Sequence, residues 1–239
     1  MNGEITFSEI KAAFPKDKPI IFWDTCSLLD VLRKSTRDVA KGPHYIKMYE
    51  DIADAVEQGD IVSVTSHLVR KELTEENYEK ERKELAKQCK KFLESLKFYS
   101  EYLHLPPKTK ALLQTSGLTL TLENKLRGLF NRLVRNTKVL AEDSIYKEFA
   151  HQRVVNKMTP AKTKQEYKDS YIWASFCHFV KELEPSAPLV AFVSSNTTDF
   201  LPEDSDLQND CSINPNMNYY LGIDPIYAAL VENDIIKPS

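Results

Sequence analysis

Two aspartates follow apolar runs of the sequence, at positions where a parallel sheet would bring them to one edge. Asp24 directly follows residues 20–23, and Asp199 closes the polar loop after residues 189–193. Open α/β sheets place their ligand sites at the carboxyl ends of their strands. If both runs are strands of one parallel sheet, we expect the two carboxylates to lie at that edge.

Two further carboxylates could join them. Glu72 lies about two turns into the helical segment that follows residues 61–64, and Asp169 lies in the first turn of the helical segment before residues 189–193. Neighbouring carboxylates repel one another and stay ionised mainly when a cation neutralises them. Oxygen ligands without histidine or thiolate favour Mg²⁺ or Mn²⁺ over zinc. Together the acidic residues therefore predict a site for a hard divalent cation.

Taken singly, each of these residues has an ordinary structural explanation. Asp24 could cap a helix that begins near Ser27, Asp199 could form an Asx-turn, and the other two could be solvated helix charges. Their joint placement is what favours a functional site.

The elements that must position these residues alternate between strands and helices. Continuous apolar runs predict strands at residues 20–23, 61–64 and 189–193, and such continuity suits strands covered on both faces, as in a parallel sheet. We therefore expect an α/β fold. The predicted helices are residues 27–34, 45–57, 67–102 with a possible break, 122–135, 143–158 and 165–183, and a last helix with Asp224 as N-cap and Pro225 at its first position.

The composition excludes several common kinds of site. The six glycines form neither G-x-G-x-x-G nor G-x-x-x-x-G-K-[ST], which argues against the usual nucleotide cradles. The four cysteines are far apart and lack zinc-site spacing, so we expect a reducing compartment. The first twenty residues lack an apolar leader, and no apolar run approaches about 18 residues. These features predict a cytoplasmic protein without a membrane partner.

Charge is distributed unevenly along a chain whose net charge is −3. Residues 80–138 hold fourteen basic residues and five glutamates, which gives this segment +9 and leaves −12 for the remainder. Such a segment favours nucleic-acid binding, although solvated helix faces are also often rich in Lys and Glu. The candidate nucleic-acid-binding residues are Arg127, Arg132, Arg135 and Lys138 in this segment, and Lys168 beside Asp169.

Turn-forming residues interrupt the basic segment at residues 80–138. Pro106-Pro107 and the cluster at residues 115–117 break the helical pattern. We expect a helical insertion at about residues 75–140, carried by a single domain that spans residues 1–239.

Four segments resemble the successive acidic motifs of PIN-domain nucleases. They are residues 21–29, 66–73, 168–174 and 192–200, which match in order, in residue type and in strand or helix context. The last, an apolar run followed by Ser-x-Asn-x-x-Asp-Phe, is the most specific. The wide interval between Glu72 and Asp169 makes the chain resemble the larger bacterial variants more than the compact toxin-type domains.

Resemblance to this family implies a three-layer α/β/α sandwich with a central, mainly parallel sheet. It also implies metal-dependent, endonucleolytic hydrolysis of phosphodiester bonds, most often in RNA, with Mg²⁺ or Mn²⁺ as cofactor and with 5′-phosphate and 3′-hydroxyl products. The expected partner is single-stranded or structured RNA, and an inhibitor protein or a homodimer is left open. By the resemblance, the catalytic and metal-binding set is Asp24, Glu72, Asp169 and Asp199, and the supporting set is Thr25, Ser194 and Asn196.

Other interpretations explain the residues less well. A serine hydrolase would need a G-x-S-x-G turn, which the sequence lacks, and no cysteine has a hydrolase-like signature around it. A phosphotransferase of the haloacid dehalogenase type would need a second aspartate two residues after the first, where this sequence has Cys26. The alternative that stays open is a catalytically inactive PIN-like module that binds RNA or a partner protein.

Overall fold

A five-stranded sheet, parallel throughout, forms the centre of the molecule. The computed structural model describes residues 4–15, 17–37, 41–74, 76–108, 117–162, 167–183, 187–200, 204–212 and 215–237. The strands are β1 (Ile20–Trp23), β2 (Val62–Ser66), β3 (Lys138–Leu140), β4 (Val190–Ser194) and β5 (Met217–Leu221), in the spatial order β3-β2-β1-β4-β5. Every residue of β1, β2 and β4 is buried, as their continuous apolar runs predict.

Helices cover the sheet on both sides. A 3₁₀ turn (Phe7–Glu9) precedes α1 (Ile10–Ala13), α2 (Thr25–Arg37), α3 (Gly42–Gln58), α4 (His67–Thr74), α5 (Glu76–Tyr102), α6 (Gly117–Asn136), α7 (Ser144–Val155), α8 (Tyr167–Glu182), α9 (Ser205–Cys211) and α10 (Ile223–Glu232). Helices α2 and α6 pack on each other and each packs on α3 and α5, and α7 packs on α8. Among the described residues, no helix is both long and apolar enough to span a bilayer.

Neighbouring side chains of β1 show that α6 and α8 lie on opposite faces. Phe22 packs on Phe176 and Phe179 of α8, with ring centroids 5.4 and 6.0 Å apart. Trp23 belongs to the other face, because successive strand residues alternate, and hydrogen bonds through Ser63 and Thr137 link it to α6. The α/β/α sandwich with a parallel sheet is thus confirmed.

A buried chain of hydrogen bonds joins the sheet to α6. The Trp23 indole Nε1–H donates to Ser63 Oγ (2.9 Å), and the Ser63 and Thr137 hydroxyls lie 2.6 Å apart. The Thr137 hydroxyl donates to the Leu133 carbonyl of α6 (2.7 Å). Since Ser63 accepts from Trp23 and Thr137 donates to Leu133, the Ser63 hydroxyl donates to Thr137. Each polar group of this chain therefore has a partner.

The crossover from β2 to β3 carries the insertion. Its described residues form α4, α5 and α6 within residues 67–136, compared with the predicted 75–140. Helices α5 and α6 pack on each other and on α2, which follows β1. The organisation of residues 1–239 as a single domain stays a prediction. The break predicted within residues 67–102 is not tested at residue 75, between α4 and α5, which lies outside the described residues, as do residues 115 and 116 of the predicted turn.

Three local predictions differ from the structure. Strands β3 and β5 were not predicted, because β3 has only three residues and β5 is mostly half-buried at the sheet edge. The last helix begins at Ile223 with Gly222 as N-cap, and not at Pro225. The reason is that the chain turns at Gly222, whose φ of 97° suits glycine and whose N–H donates to the Ser194 carbonyl (2.8 Å).

Replacing Ser63 with alanine should destabilise the fold. The substitution leaves the Trp23 indole N–H buried without a partner, and such a loss costs about 1–3 kcal/mol. Urea unfolding should show the free energy of unfolding reduced by this amount with an unchanged m-value. Ser8→Ala, at an exposed serine, is the matched control and should stay within about 0.5 kcal/mol of wild type. Equal stability of the two variants would show that the buried chain contributes nothing.

Candidate active site

Asp24 lies where the middle strand of the sheet ends. Trp23, the last residue of β1, is in register with Val193, and the Asp24 N–H donates to the Val193 carbonyl (3.0 Å). This pairing sets the Asp24 carboxylate beside Ser194, whose hydroxyl donates to Oδ2 (2.6 Å), while the Thr25 N–H donates to Oδ1 (2.6 Å). Asp24 is only 2% exposed. Its carboxylate is therefore satisfied by the protein and not by solvent.

Asn196 connects two more carboxylates to this strand end. Its amide Nδ2 donates to Asp199 Oδ2 (2.8 Å) and to Asp169 Oδ2 (3.2 Å), one amide hydrogen for each. The Asn196 N–H donates to Ser194 Oγ (3.1 Å), and its Oδ1 accepts from the Asp199 N–H (3.3 Å). One asparagine thus holds the loop after β4 against the first turn of α8.

Glu72 reaches the same edge of the sheet from α4. Its Oε2 accepts from the Thr25 hydroxyl (2.5 Å), and its Oε1 accepts from Lys168 Nζ (3.1 Å). Thr25 follows Asp24 directly and Lys168 precedes Asp169. The structure therefore brings all four predicted carboxylates, and all three predicted supporting residues, into one hydrogen-bonded network. We call the four acids the carboxylate set: Asp24, Glu72, Asp169 and Asp199.

The donor chemistry of the carboxylate set fits a hard divalent cation, since every ligand it offers is an oxygen. The arrangement itself is not a closed cage: among the described residues, no three His, Cys, Asp or Glu side chains are grouped closely enough to hold a metal ion. Instead, hydroxyl and amide donors occupy carboxylate oxygens. The side chains that separate the acids are Thr25, Ser194 and Asn196.

Burial dominates the electrostatics of this network. It raises the pKa of Asp24 to about 6, and the nearby Glu72 charge adds to the rise, while the Ser194 and Thr25 hydrogen bonds oppose it. Burial, together with the Asp24 charge, raises the pKa of the Cys26 thiol to about 12. Cys26 is therefore a neutral thiol at physiological pH and not an activated nucleophile.

Comparison with known families supplies the decisive observation. A family model described as PIN domain matches residues 21–200, a range that includes the whole carboxylate set and the insertion. The chain belongs to the PIN-domain family. PIN domains are typically nucleases and generally use divalent metal ions. No curated protein and no solved structure was found to match the chain.

Helix α2 places cations beside the PIN-domain carboxylates, and the sequence predictions missed them. A cleft of about 630 Å³, which we call the α2 cleft, is lined by Asn196 and Asp199 and by Arg33, Lys34 and Arg37 of α2. Asp30 also lines it; burial raises the pKa of that carboxyl, and Lys34, 3.7 Å away, opposes the rise. The sequence alone could have placed residues 30, 33, 34 and 37 together, because residues three and four positions apart share one helix face.

Two of the five predicted nucleic-acid-binding residues lie elsewhere in the PIN domain. Arg132 pairs with Asp54 (2.5 Å) and Glu57 (2.6 Å) near the end of α3. Lys138 begins β3, donates to the Ala13 carbonyl (2.7 Å) and lies over the Phe14 ring. A helix that precedes a parallel strand ends at the amino edge of the sheet, opposite the carboxylate set. This placement counts against a substrate-binding role for these two residues.

The other three predicted nucleic-acid-binding residues, Lys168, Arg127 and Arg135, lie in different parts of the structure. Lys168 is bonded to Glu72 within the network and is 63% exposed. Arg127 lies 3.9 Å from Glu123 on its own helix, and exposed Arg135 lines a separate cavity. Binding of nucleic acid by these three residues stays a prediction.

Replacing Asp24 with asparagine should stabilise the metal-free protein at neutral pH. Because the folded-state pKa of about 6 exceeds the usual aspartate value of about 3.9, Asp24 favours folding most below about pH 4, and this contribution is lost as the pH rises to about 6. Asp24→Asn has no charge to bury. Its free energy of unfolding should exceed that of wild type by up to about 3 kcal/mol above pH 6, and the gap should close below about pH 4.

Urea unfolding in EDTA across this pH range measures the gap. Asp17→Asn, in an exposed loop before β1, is the matched control and should follow wild type at every pH. A gap for Asp24→Asn that does not change with pH would contradict the raised pKa.

Proposed function

We propose that this PIN-domain protein is a metal-dependent endoribonuclease that leaves 5′-phosphate and 3′-hydroxyl ends. The observation that carries the proposal is the carboxylate set: four acids from four separate segments meet in one hydrogen-bonded network at the carboxyl edge of the sheet. Open α/β sheets bind their ligands at this edge.

The proposed cofactor is Mg²⁺ or Mn²⁺, held by Asp24, Glu72, Asp169 and Asp199. When bound, such a cation lowers the pKa of water and stabilises charge on a phosphodiester. Thr25, Ser194 and Asn196 orient the acids by donating hydrogen bonds to them. These donors are neutral, so they fix carboxylate positions without neutralising the charge that attracts a cation.

The side chains around the carboxylate set favour direct attack by water over a covalent intermediate. Cys26 is protonated because its pKa is raised to about 12. Ser194 is fully buried, with its hydroxyl donating to Asp24, so it is not accessible to a substrate. His67 is held at the surface by Glu4, with 2.8 Å between Nδ1 and Oε1. None of these three groups is placed as a nucleophile.

Cations on two helices are suited to hold the phosphate backbone. Lys168 of α8 adjoins Glu72, and Arg37 of α2, whose side chain is 59% exposed, lines one cleft with Asp199. Arg33 in the same cleft is less available, because it pairs with Glu81 (2.8 Å). Contacts of this kind position the substrate without reading its sequence. We propose single-stranded or structured RNA as the substrate and the cytoplasm as the site of action. An inhibitor protein or a homodimer stays a prediction.

A second candidate function is a PIN-like module that binds RNA or a partner protein without cleaving it. The hydrogen bonds of Glu72 favour this function, because its Oε2 accepts from the Thr25 hydroxyl and its Oε1 accepts from Lys168 Nζ. Each Glu72 oxygen therefore already accepts a hydrogen bond, and the Lys168 charge offsets part of the negative charge that would attract a cation.

Cleavage assays separate the two functions. Total RNA and single-stranded DNA are incubated with Mg²⁺ or Mn²⁺, and the product ends are sequenced. Wild type should cut RNA and stop in EDTA, whereas Asp24→Asn and Asp169→Asn should each be slower by at least about 100-fold, because each removes a proposed ligand. Asp17→Asn, which changes charge in the same way outside the site, should cleave like wild type.

Undiminished cleavage by both site variants would refute the site assignment. RNA binding by wild type without cleavage of either nucleic acid would favour the non-catalytic module.

Asn196 should act as a positioning residue. Asn196→Ala removes the bridge between Asp169 and Asp199, so the Mg²⁺ concentration for half-maximal activity should rise by about 10–100-fold. RNA affinity measured in EDTA should not change. Asn218→Ala, at an exposed asparagine on β5, is the control. A lower maximal rate with an unchanged Mg²⁺ midpoint would contradict this role.

A further inference from the structure

A second cavity lies between the insertion helices and the sheet. It has a volume of about 620 Å³, and its lining comes from α4, α5 and α6, from Leu28 of α2, and from β2 and β3 with the preceding Thr137. None of its described lining residues belongs to the carboxylate set or to the α2 cleft. The cavity is therefore a separate site, and a ligand for it does not depend on the proposed nuclease function.

The cavity has apolar and aromatic walls. Leu28, Leu73 and Val134 contribute aliphatic surface. Tyr78 and Phe130 form a stacked aromatic pair, with ring centroids 5.1 Å apart and planes 22° apart. Small-molecule sites in proteins have volumes of about 300–1,000 Å³ and are lined mainly by such side chains.

Both charged side chains among the described lining residues of the cavity are positive. Arg70 of α4 and Arg135 of α6 line it, and no carboxylate does so among the described lining residues. The two threonine hydroxyls in the lining already donate to backbone carbonyls, Thr65 to Trp23 (2.9 Å) and Thr137 to Leu133 (2.7 Å). Besides these hydroxyls, the described lining offers the two guanidinium groups and the Asn131 amide for polar recognition.

We propose that this cavity binds a small organic anion: an aromatic or aliphatic body with one carboxylate, phosphate or sulfonate group. The body would lie against Tyr78 and Phe130, and the acidic group would be drawn to Arg70 and Arg135. Guanidinium groups bind oxyanions through charge-assisted hydrogen bonds. The joint presence of apolar walls and of positive charge, with no carboxylate among the described lining residues, selects this class over neutral apolar ligands and over inorganic ions.

The cavity lies near the start of α5 and touches one face of α4. The far end of α5 is Tyr102, about 36 Å along the helix axis from Tyr78. Within α4, residues 70 and 73 line the cavity and residue 72 does not, as expected for a helix on which positions three apart share a face. An occupant would therefore contact the helix that carries Glu72 without touching Glu72 itself.

The test is a fluorescence titration of the full chain with two probes of similar shape. One is 1-anilinonaphthalene-8-sulfonate (the anionic probe), and the other is N-phenyl-1-naphthylamine (the neutral probe). Arg135→Glu should weaken binding of the anionic probe by at least about tenfold, the size expected for loss of a charge-assisted contact. The neutral probe should bind wild type and this variant equally. Since Arg135 is exposed, the substitution spares the core.

Two further variants serve as controls. Lys237→Glu makes the same charge change at an exposed lysine outside the cavity and should leave both probes bound as in wild type. Val134→Trp, which fills the cavity, should abolish cavity binding of both probes. Undiminished binding of the anionic probe by this variant would place the probe outside the cavity, for example on exposed Phe98 and Tyr102 of α5, and would overturn the proposal.

Competition between small ligands and the anionic probe tests the proposal on the wild-type protein alone. Hexanoate should displace the anionic probe from wild type at a lower concentration than hexanol. The proposal is overturned if hexanoate and hexanol compete equally, if Arg135→Glu binds the anionic probe like wild type, or if it loses both probes together. If probe binding is lost under conditions in which the protein forms dimers, a second copy of the chain covers the cavity. This result would also overturn the proposal.

Discussion

A carboxylate at the end of the middle strand of a fully covered parallel sheet has to find its hydrogen-bond partners within the protein. Asp24 meets this requirement with the Ser194 hydroxyl and the Thr25 N–H. Register supplies Ser194, because Trp23 opposite Val193 leaves the next residue of each strand side by side. Ser194 in turn accepts from the Asn196 N–H, which fixes the amide that holds Asp169 and Asp199. The placement of Asp24, Asp169 and Asp199 thus depends on one strand pairing, whereas Glu72 joins them from α4 through Thr25 and Lys168.

The insertion is bound to the core by polar contacts as well as by packing. The buried chain from Trp23 through Ser63 and Thr137 ends on α6, and Arg33 of α2 pairs with Glu81 of α5 (2.8 Å). Acids outside residues 80–138 also offset some of the positive charges within that segment. Arg82 pairs with Glu79, and Arg132 pairs with two acids of α3. The +9 of the segment therefore overstates the positive field that a nucleic acid would meet.

The sequence was sufficient to predict the buried strands and the positions of the acidic residues. It was insufficient to predict which acids pair with the basic residues. Strands β1, β2 and β4 carry continuous apolar runs, whereas β3 is three residues long and β5 is half-exposed, so neither leaves a clear pattern. The carboxylates could be placed because each is tied to a strand end or an adjacent helix. The acids that neutralise Arg132 lie more than seventy positions earlier. No local pattern encodes such a pairing, which depends on how α3 and α6 pack.

Charge balance links cation binding to nucleic-acid binding in the proposed function. The carboxylate set brings four acids together, and the neutral donors Thr25, Ser194 and Asn196 stabilise them without reducing that charge. Lys168 brings one positive charge to Glu72. A phosphodiester backbone adds negative charge to the same place, and in a buried environment this repulsion is weakly screened. A divalent cation offsets both contributions at once. Cation and substrate should therefore bind with positive cooperativity, each reducing the free-energy cost of the other.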